Sequence, residues 1–348
     1  MKDRSVTAIP VPSVAGRGAT PKLAWALGAL LLLAVIALPS VLNPYYLHVL
    51  VIGLLYSYLA ASWNIIGGYA GQMSLGHAMF FGIGSYAVAV FAREGWFPLI
   101  TALPVAILIS ALLAWLVASI CFRYALRGIY FAVGTLLLGE ILRISANSIQ
   151  FFGRSQGLQI TPRAGVLNFH FETDAPYFFI FLVLAACMIF GALKLERSKL
   201  GYHLIALREQ EDGAKALGVD TQKVKRIAFV LSAMLTAVAG FMYASVVRFV
   251  EPGYDLSISI TLIMIMGAVL GGRGTAVGPF VGGLIVVLVQ ELLTAAGSWV
   301  GTTAFSALAQ VIYGLFFVVT LLVFPRGLVG EWTRRRADSR ARLLESPE

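Results

Sequence analysis

The sequence predicts an all-α fold, a polytopic transmembrane helix bundle of about ten spans with both termini in the cytoplasm. Three observations predict it. Of the 348 residues, 59% are hydrophobic and 12% charged, with a mean hydropathy of +0.85, whereas soluble domains carry about 25% charged residues. The apolar residues fall into runs near the ~20 residues that a helix needs to cross the hydrocarbon core. Lys and Arg gather between alternate runs, the bias that marks cytoplasmic loops.

Residues 1–22 are polar or small and include Pro10, Pro12, Gly16, Gly18 and Pro21, the composition of a disordered tail. The run 23–42 exceeds the ~7–15 residues of a signal-peptide core and reads as a first, retained span. Backbone in hydrocarbon must satisfy its own hydrogen bonds, so each later run is a helix. These runs are 45–66, 67–92, 96–122, 128–150, 176–195, 227–250, 256–272, 276–296 and 304–324. The transmembrane domain therefore covers 23–326, and 327–348 forms a basic cytoplasmic tail.

With the N-terminus inside and ten crossings, 21 of the 26 Lys and Arg residues lie on the inner side. Arg93, Arg154 and Arg163 lie outside, and Arg143 and Arg248 in the outer parts of spans. If 67–92 does not cross, the best split falls to 17 against 7. That run is long and glycine-rich, and a broken or re-entrant helix also fits its composition. Topology thus accounts for the net charge of +9, and no nucleic-acid partner is expected. Cys121 and Cys187 have no second cysteine at metal-ligand spacing and read as small buried side chains. No metal site and no catalytic residue set is expected. The chain has no G-x-x-x-x-G-K-[ST] phosphate loop, so no nucleotide or other cofactor is expected on it.

The one long charged stretch between spans is 196–226. Within it the pattern predicts a helix from His203 to Leu217, closed by Gly218, since glycine adopts the left-handed cap conformation freely. Asp220 or Thr221 is placed to cap the next helix. Arg208 is placed to reach Glu211 or Asp212 one turn along. Two readings of this helix stand: a solvated interfacial helix, or a docking helix that seats in a groove of a cytosolic partner.

Within the run 67–92, Gly71 and Gly76 stand with Gln72, Ser74 and His77, where a broken helix is the alternative to close packing, and a second glycine cluster around the junction of runs 256–272 and 276–296 holds Gly271, Gly272 and Gly274. Small residues let membrane helices approach closely; alternatively a broken helix exposes its backbone along a solute path. The two clusters resemble an internal repeat. Glu140 and Arg143 lie three apart and share a helix face, as a structural ion pair facing the bundle or a contact on the path. His77 reads as a hydrogen-bonded packing residue, and Glu291 as reaching outer water.

The run EDGAKALG (211–218) resembles the coupling loop of ATP-binding-cassette importer permeases. The wider LREQEDGAKALGVD resembles the M-type permease subunit of the branched-chain amino acid importers. GGYAGQMSLGHAMFFGIGSY (67–86), LRGIYFAVGTLLLGEILRI (126–144), FVLSAMLTAVAGFMYA (229–244), GAVLGGRGTAVGPFVGG (267–283) and FPRGLVG (324–330) agree with that family, in order. The resemblance implies a multi-pass permease of the bacterial inner membrane, moving branched-chain amino acids inward; urea and short-chain amides are the alternative cargo. It implies a second permease subunit, two cytosolic ATPase subunits that use the ATP, and a periplasmic solute-binding protein. Arg208, Glu211, Ala214 and Gly218 would belong to the ATPase-coupling segment. The chain departs from the family at Asp212 and Gly213. An ion-driven secondary transporter, coupled through Glu140, Glu291 and His77, is the competing class; it leaves the charged segment without a role.

Overall fold

The computed structural model describes residues 36–95, 97–161, 165–300, 303–323 and 327–331. The tail 1–22, most of the run 23–42, Arg163, residues 324–326 and most of the tail 327–348 lie outside the described residues. Residues 36–41 are helical and belong to a unit ending at Asn43.

The second unit begins with α1 (Pro44–Asn64), which continues as a π-helical turn over Ile65–Tyr69. Residues 71–76 are irregular, and α2 (Ala78–Glu94) follows. Next come α3 (Ala102–Arg123), α4 (Ile129–Ser148) and α5 (Ala175–Glu196). Two short helices, α6 (Lys199–Glu209) and α7 (Glu211–Ala216), precede the long α8 (Thr221–Val247). The chain ends with α9 (Pro252–Asp255), α10 (Ile258–Gly271), α11 (Gly278–Val300) and α12 (Thr303–Val323). A two-residue antiparallel ladder pairs β1 (Leu158–Gln159) with β2 (Phe249–Val250).

Among the described residues, six helices are long and apolar enough to cross a membrane: Pro44–Tyr69, Leu99–Arg123, Ile129–Ser148, Ala175–Glu196, Thr221–Val247 and Gly278–Gly297. The sequence predicts more; the run 23–42 lies mostly outside the described residues, and two other runs are shortened for physical causes. The run 67–92 is broken before Ala78, which leaves α2 with 17 residues. The run 256–272 is trimmed to the 14-residue α10, because Pro252 starts a separate turn and the Ser257 hydroxyl caps α10 at Ser259 N–H.

Contacts sort the elements into two ends. At one end, Arg93 donates to the Phe151 carbonyl (2.9 Å), Leu158 pairs with Val250, and His48 meets Asp174 (2.9 Å). At the other, Tyr69 donates to Glu196 (2.8 Å), Arg127 to Asp212 (3.0 Å) and Arg208 to Gly68 (3.2 Å). The broken segment runs from Gly71, packed on Arg208, to Arg93, packed on Phe151. It therefore touches residues of both groups of contacts despite the break.

The core forms where α2 meets α8. A Cβ at Gly84 would lie 2.1 Å from the Ala237 carbonyl oxygen, and one at Gly240 2.0 Å from that of Phe81. This is the close backbone approach that small residues permit in a membrane. Leu108, Leu112, Trp115 and Leu116 of α3, and Leu137, Ile141 and Ile144 of α4, are exposed, as suits lipid-facing surface. Cys121 is buried as expected, but Cys187 is exposed: its turn of α5 faces outward.

Candidate functional site

The charged segment folds as two helices, not as one over 203–217. Gln210 is extended (φ −155°, ψ 100°) and separates α6 from α7. The cause is tertiary. Glu211 Oε1 accepts from Lys225 Nζ (2.6 Å) and lies 3.4 Å from Arg127 Nε, while Asp212 meets Arg127 Nη1 (3.0 Å). These pairs, made by residues far away in sequence, pull α7 off the axis of α6. Lys225 is only 3% exposed, so Glu211 neutralises a buried ammonium. The caps are local and follow expectation. Gly218 is left-handed (φ +87°), with Val219 N–H donating to the Ala214 carbonyl (3.1 Å). Asp220 accepts from Lys223 N–H (3.0 Å).

Of the four candidate coupling residues, Ala214 is buried at 4% and Glu211 faces back toward α8. Arg208 does not reach Glu211 or Asp212; it pairs with Glu209 (3.1 Å) and donates to the Gly68 carbonyl. The face that α7 turns outward carries Leu217, which is 88% exposed. A cavity of about 170 Å³ lies behind α7, lined by Arg127, Glu211, Lys215, Asp220 and Lys225.

The two glycine clusters meet. Asn64 accepts from Gly274 N–H (2.9 Å) and donates to the Thr275 carbonyl (3.1 Å). The first break is held by neighbours: Trp63 donates to Ser74 O (2.9 Å), Leu75 N–H to Thr135 Oγ1 (3.1 Å) and Ala78 N–H to Thr261 Oγ1 (2.9 Å). Irregular backbone at membrane depth survives only with such partners. His77 bridges Ser74 (2.9 Å) and Ser232 (2.8 Å) and is fully buried. Gly76 packs against the Thr135 carbonyl, and Gly271 against that of Gly278. Gly272 abuts Gly327. Gln72 Oε1 is buried with no hydrogen-bond partner.

Glu140 and Arg143 do pair, through Nε and Oε2 at 2.9 Å. Their side chains are 40% and 32% exposed. Glu291 accepts from the Tyr45 hydroxyl. Asn64, Trp63, Thr135, Thr261 and Ser232 were not among the residues the sequence singled out. Their signal is a polar side chain inside an apolar run, facing another such run.

A family model for the branched-chain amino acid transport system permease component matches residues 45–321. The chain belongs to that family of permeases, and it is a multi-pass membrane protein. It is 28% identical to the high-affinity branched-chain amino acid transport system permease protein LivM of Escherichia coli (strain K12), over 90% of this chain and 76% of that protein. It is 22% identical to the permease protein LivH of the same strain, over 80% of this chain and 92% of that protein. To a probable LivH of Methanocaldococcus jannaschii it is 26% identical, over 58% of this chain and 63% of that protein. No solved structure matches the chain.

Proposed function

We propose that this chain is one permease subunit of an ATP-driven importer in the bacterial inner membrane, carrying branched-chain amino acids from periplasm to cytoplasm. The single observation that carries the reading is the seating of α6 and α7. They leave Leu217 exposed while ion pairs fasten α7 to Lys225 of α8 and to Arg127, and Arg208 ties α6 to the helix break at Gly68. That is the form of a docking element built to pass a push into the membrane. The chain lacks a phosphate loop, so two cytosolic ATPase subunits supply hydrolysis. Likeness to both LivM and LivH relatives supports a paired second permease of related fold. A periplasmic binding protein delivers solute to the end bearing the 151–175 loop.

The contacts at alternating ends support a crossing by each of the nine runs from 45–66 onward, the broken 67–92 and the short α10 included. With a span at 23–42 they make ten, and both termini lie on the side of α6 and α7. In the cycle, closure of the ATPase pair displaces α6–α7, and the two permease halves tilt to open the path toward the cytoplasm. Gln72, whose Oε1 is buried without a partner, is the polar group offered to solute at the break, while Ser74, Gly271, Gly272 and Gly274 serve helix packing.

The test is reconstitution. This chain, the second permease and the ATPases are placed in liposomes with the loaded binding protein, and uptake of labelled leucine, isoleucine, valine, urea and acetamide is followed. ATP-dependent uptake of the branched-chain amino acids is expected. Full-rate uptake in liposomes lacking the ATPases would sink the reading.

A further inference from the structure

We propose that Arg208 is the positioning residue that ties the coupling helices to the helix break at Gly68 and to the loop joining α10 and α11 at Gly274, delivering displacement of α6–α7 to both. The inference rests on the ATP-driven importer reading. Arg208 stands at the end of α6, two residues before the bend at Gln210. Its side chain reaches back rather than forward. Nη1 donates to the Gly68 carbonyl at 3.2 Å. A Cβ at Gly274 would lie 2.2 Å from the same Nη1, and one at Gly71 would lie 2.8 Å from Arg208 Cγ. Gly71 and Gly274 both hold left-handed backbone (φ +66° and +73°), a conformation that costs other residues ~1–2 kcal/mol. The break and the α10–α11 loop therefore both present bare backbone to one arginine side chain, Gly71 to its stem and Gly68 and Gly274 to its guanidinium.

The break and the loop are themselves one block. Asn64 holds Gly274 N–H and the Thr275 carbonyl, and the Gly68 carbonyl oxygen lies 3.1 Å from where a Gly274 Cβ would be. A displacement of Arg208 cannot reach the break without the α10–α11 loop. The Glu209 partner is 69% exposed, so that pair is weak and the backbone contacts set the guanidinium's position. A cavity of about 530 Å³ beside it, lined also by Arg273, Thr275 and Met73, gives it room to move. Lysine cannot replace it: an ammonium is a point charge without the flat fork that packs against Gly274 while donating to Gly68.

The experiment measures uptake and ATP hydrolysis together in the reconstituted complex, for wild type, Arg208→Lys, Gly274→Ala and the double variant. The glycine substitution displaces the guanidinium without altering Arg208 but also strains the left-handed backbone at 274, which Arg208→Lys does not, so the two singles together separate coupling from strain. Assembly and ATP hydrolysis near the wild-type level are expected in both single variants. Leucine taken up per ATP should fall about tenfold, a size typical of coupling between sites. The double variant should be no worse than the worse single, because both remove one shared contact. A ratio within twofold of wild type in both singles overturns the inference, as does a double variant whose losses multiply. Failure of both singles to assemble also overturns it, since Arg208 would then only support the fold. If the wild-type complex itself shows no ATP-dependent uptake, the importer reading fails and this inference falls with it.

Discussion

At the scale of single residues, two buried carboxylates behave in opposite ways. Glu211 exists to meet Lys225, and removing it strands an ammonium that is 3% exposed. Breaking such a pair from one side typically costs ~3–5 kcal/mol; with Glu211 partly accessible, about 3 kcal/mol is expected for Glu211→Ala. Adding Lys225→Met should restore most of it, because the stranded charge is then gone. Thermal unfolding in detergent of the two singles and the double checks this; a double variant less stable than Glu211→Ala would sink it. Asp255, in α9 ahead of the apolar α10, is buried with one carboxylate oxygen bonded to Glu251 N–H (2.8 Å) and the other without a partner. Burial outweighs that bond and pushes its pKa up to about 7. The folded state then holds a proton that the unfolded chain releases near the ordinary carboxylate value. The stabilisation is whole below that value and is lost as pH rises through about 7. Asp255→Asn should flatten the fall in melting temperature between pH 5 and 8, and an unchanged slope would contradict this.

At the scale of elements, what was legible in the sequence was what is local. Gly218 closes α7 and Asp220 opens α8 through bonds to residues three to five positions away, so their types announced their roles. The bend at Gln210 was not legible, since helix propensity runs straight through it and the forces come from Arg127 and Lys225. The same holds for Asn64: nothing in one chain order says that residue 64 faces residue 274. Glycine richness around Gly71 did flag the break, but not that it touches the loop at Gly274. The outward face of α7 carries the prediction at this scale. Leu217 is 88% exposed and makes little contribution to the fold, so Leu217→Asp should leave thermal stability within about 0.5 kcal/mol, as for surface changes generally. Co-purification with the ATPase subunits should be lost. Retained co-purification would show that this face is not the one that docks.

At the scale of the whole molecule, helix length and helix contacts give different numbers of crossings. Six helices have span length by themselves, yet contacts carry the broken segment from Arg208 at one end to Phe151 at the other. Length alone undercounts here, because a segment interrupted at 70–77 can still cross when neighbours satisfy its backbone, as Trp63, Thr135 and Thr261 do. A cysteine placed at Met73 and one placed at Glu94 therefore sit at opposite ends of the bundle. In a background with Cys121 and Cys187 replaced by serine, a membrane-impermeant maleimide added to intact spheroplasts should label Glu94→Cys. Met73→Cys should react only after the membrane is opened. Met73 is 41% exposed and Glu94 lies at the exposed end of α2, so reactivity reports sidedness rather than burial. Labelling of both from the same side would make 67–94 re-entrant and invert every later element. The charged α6–α7 pair would then face the periplasm, where no ATPase could meet it.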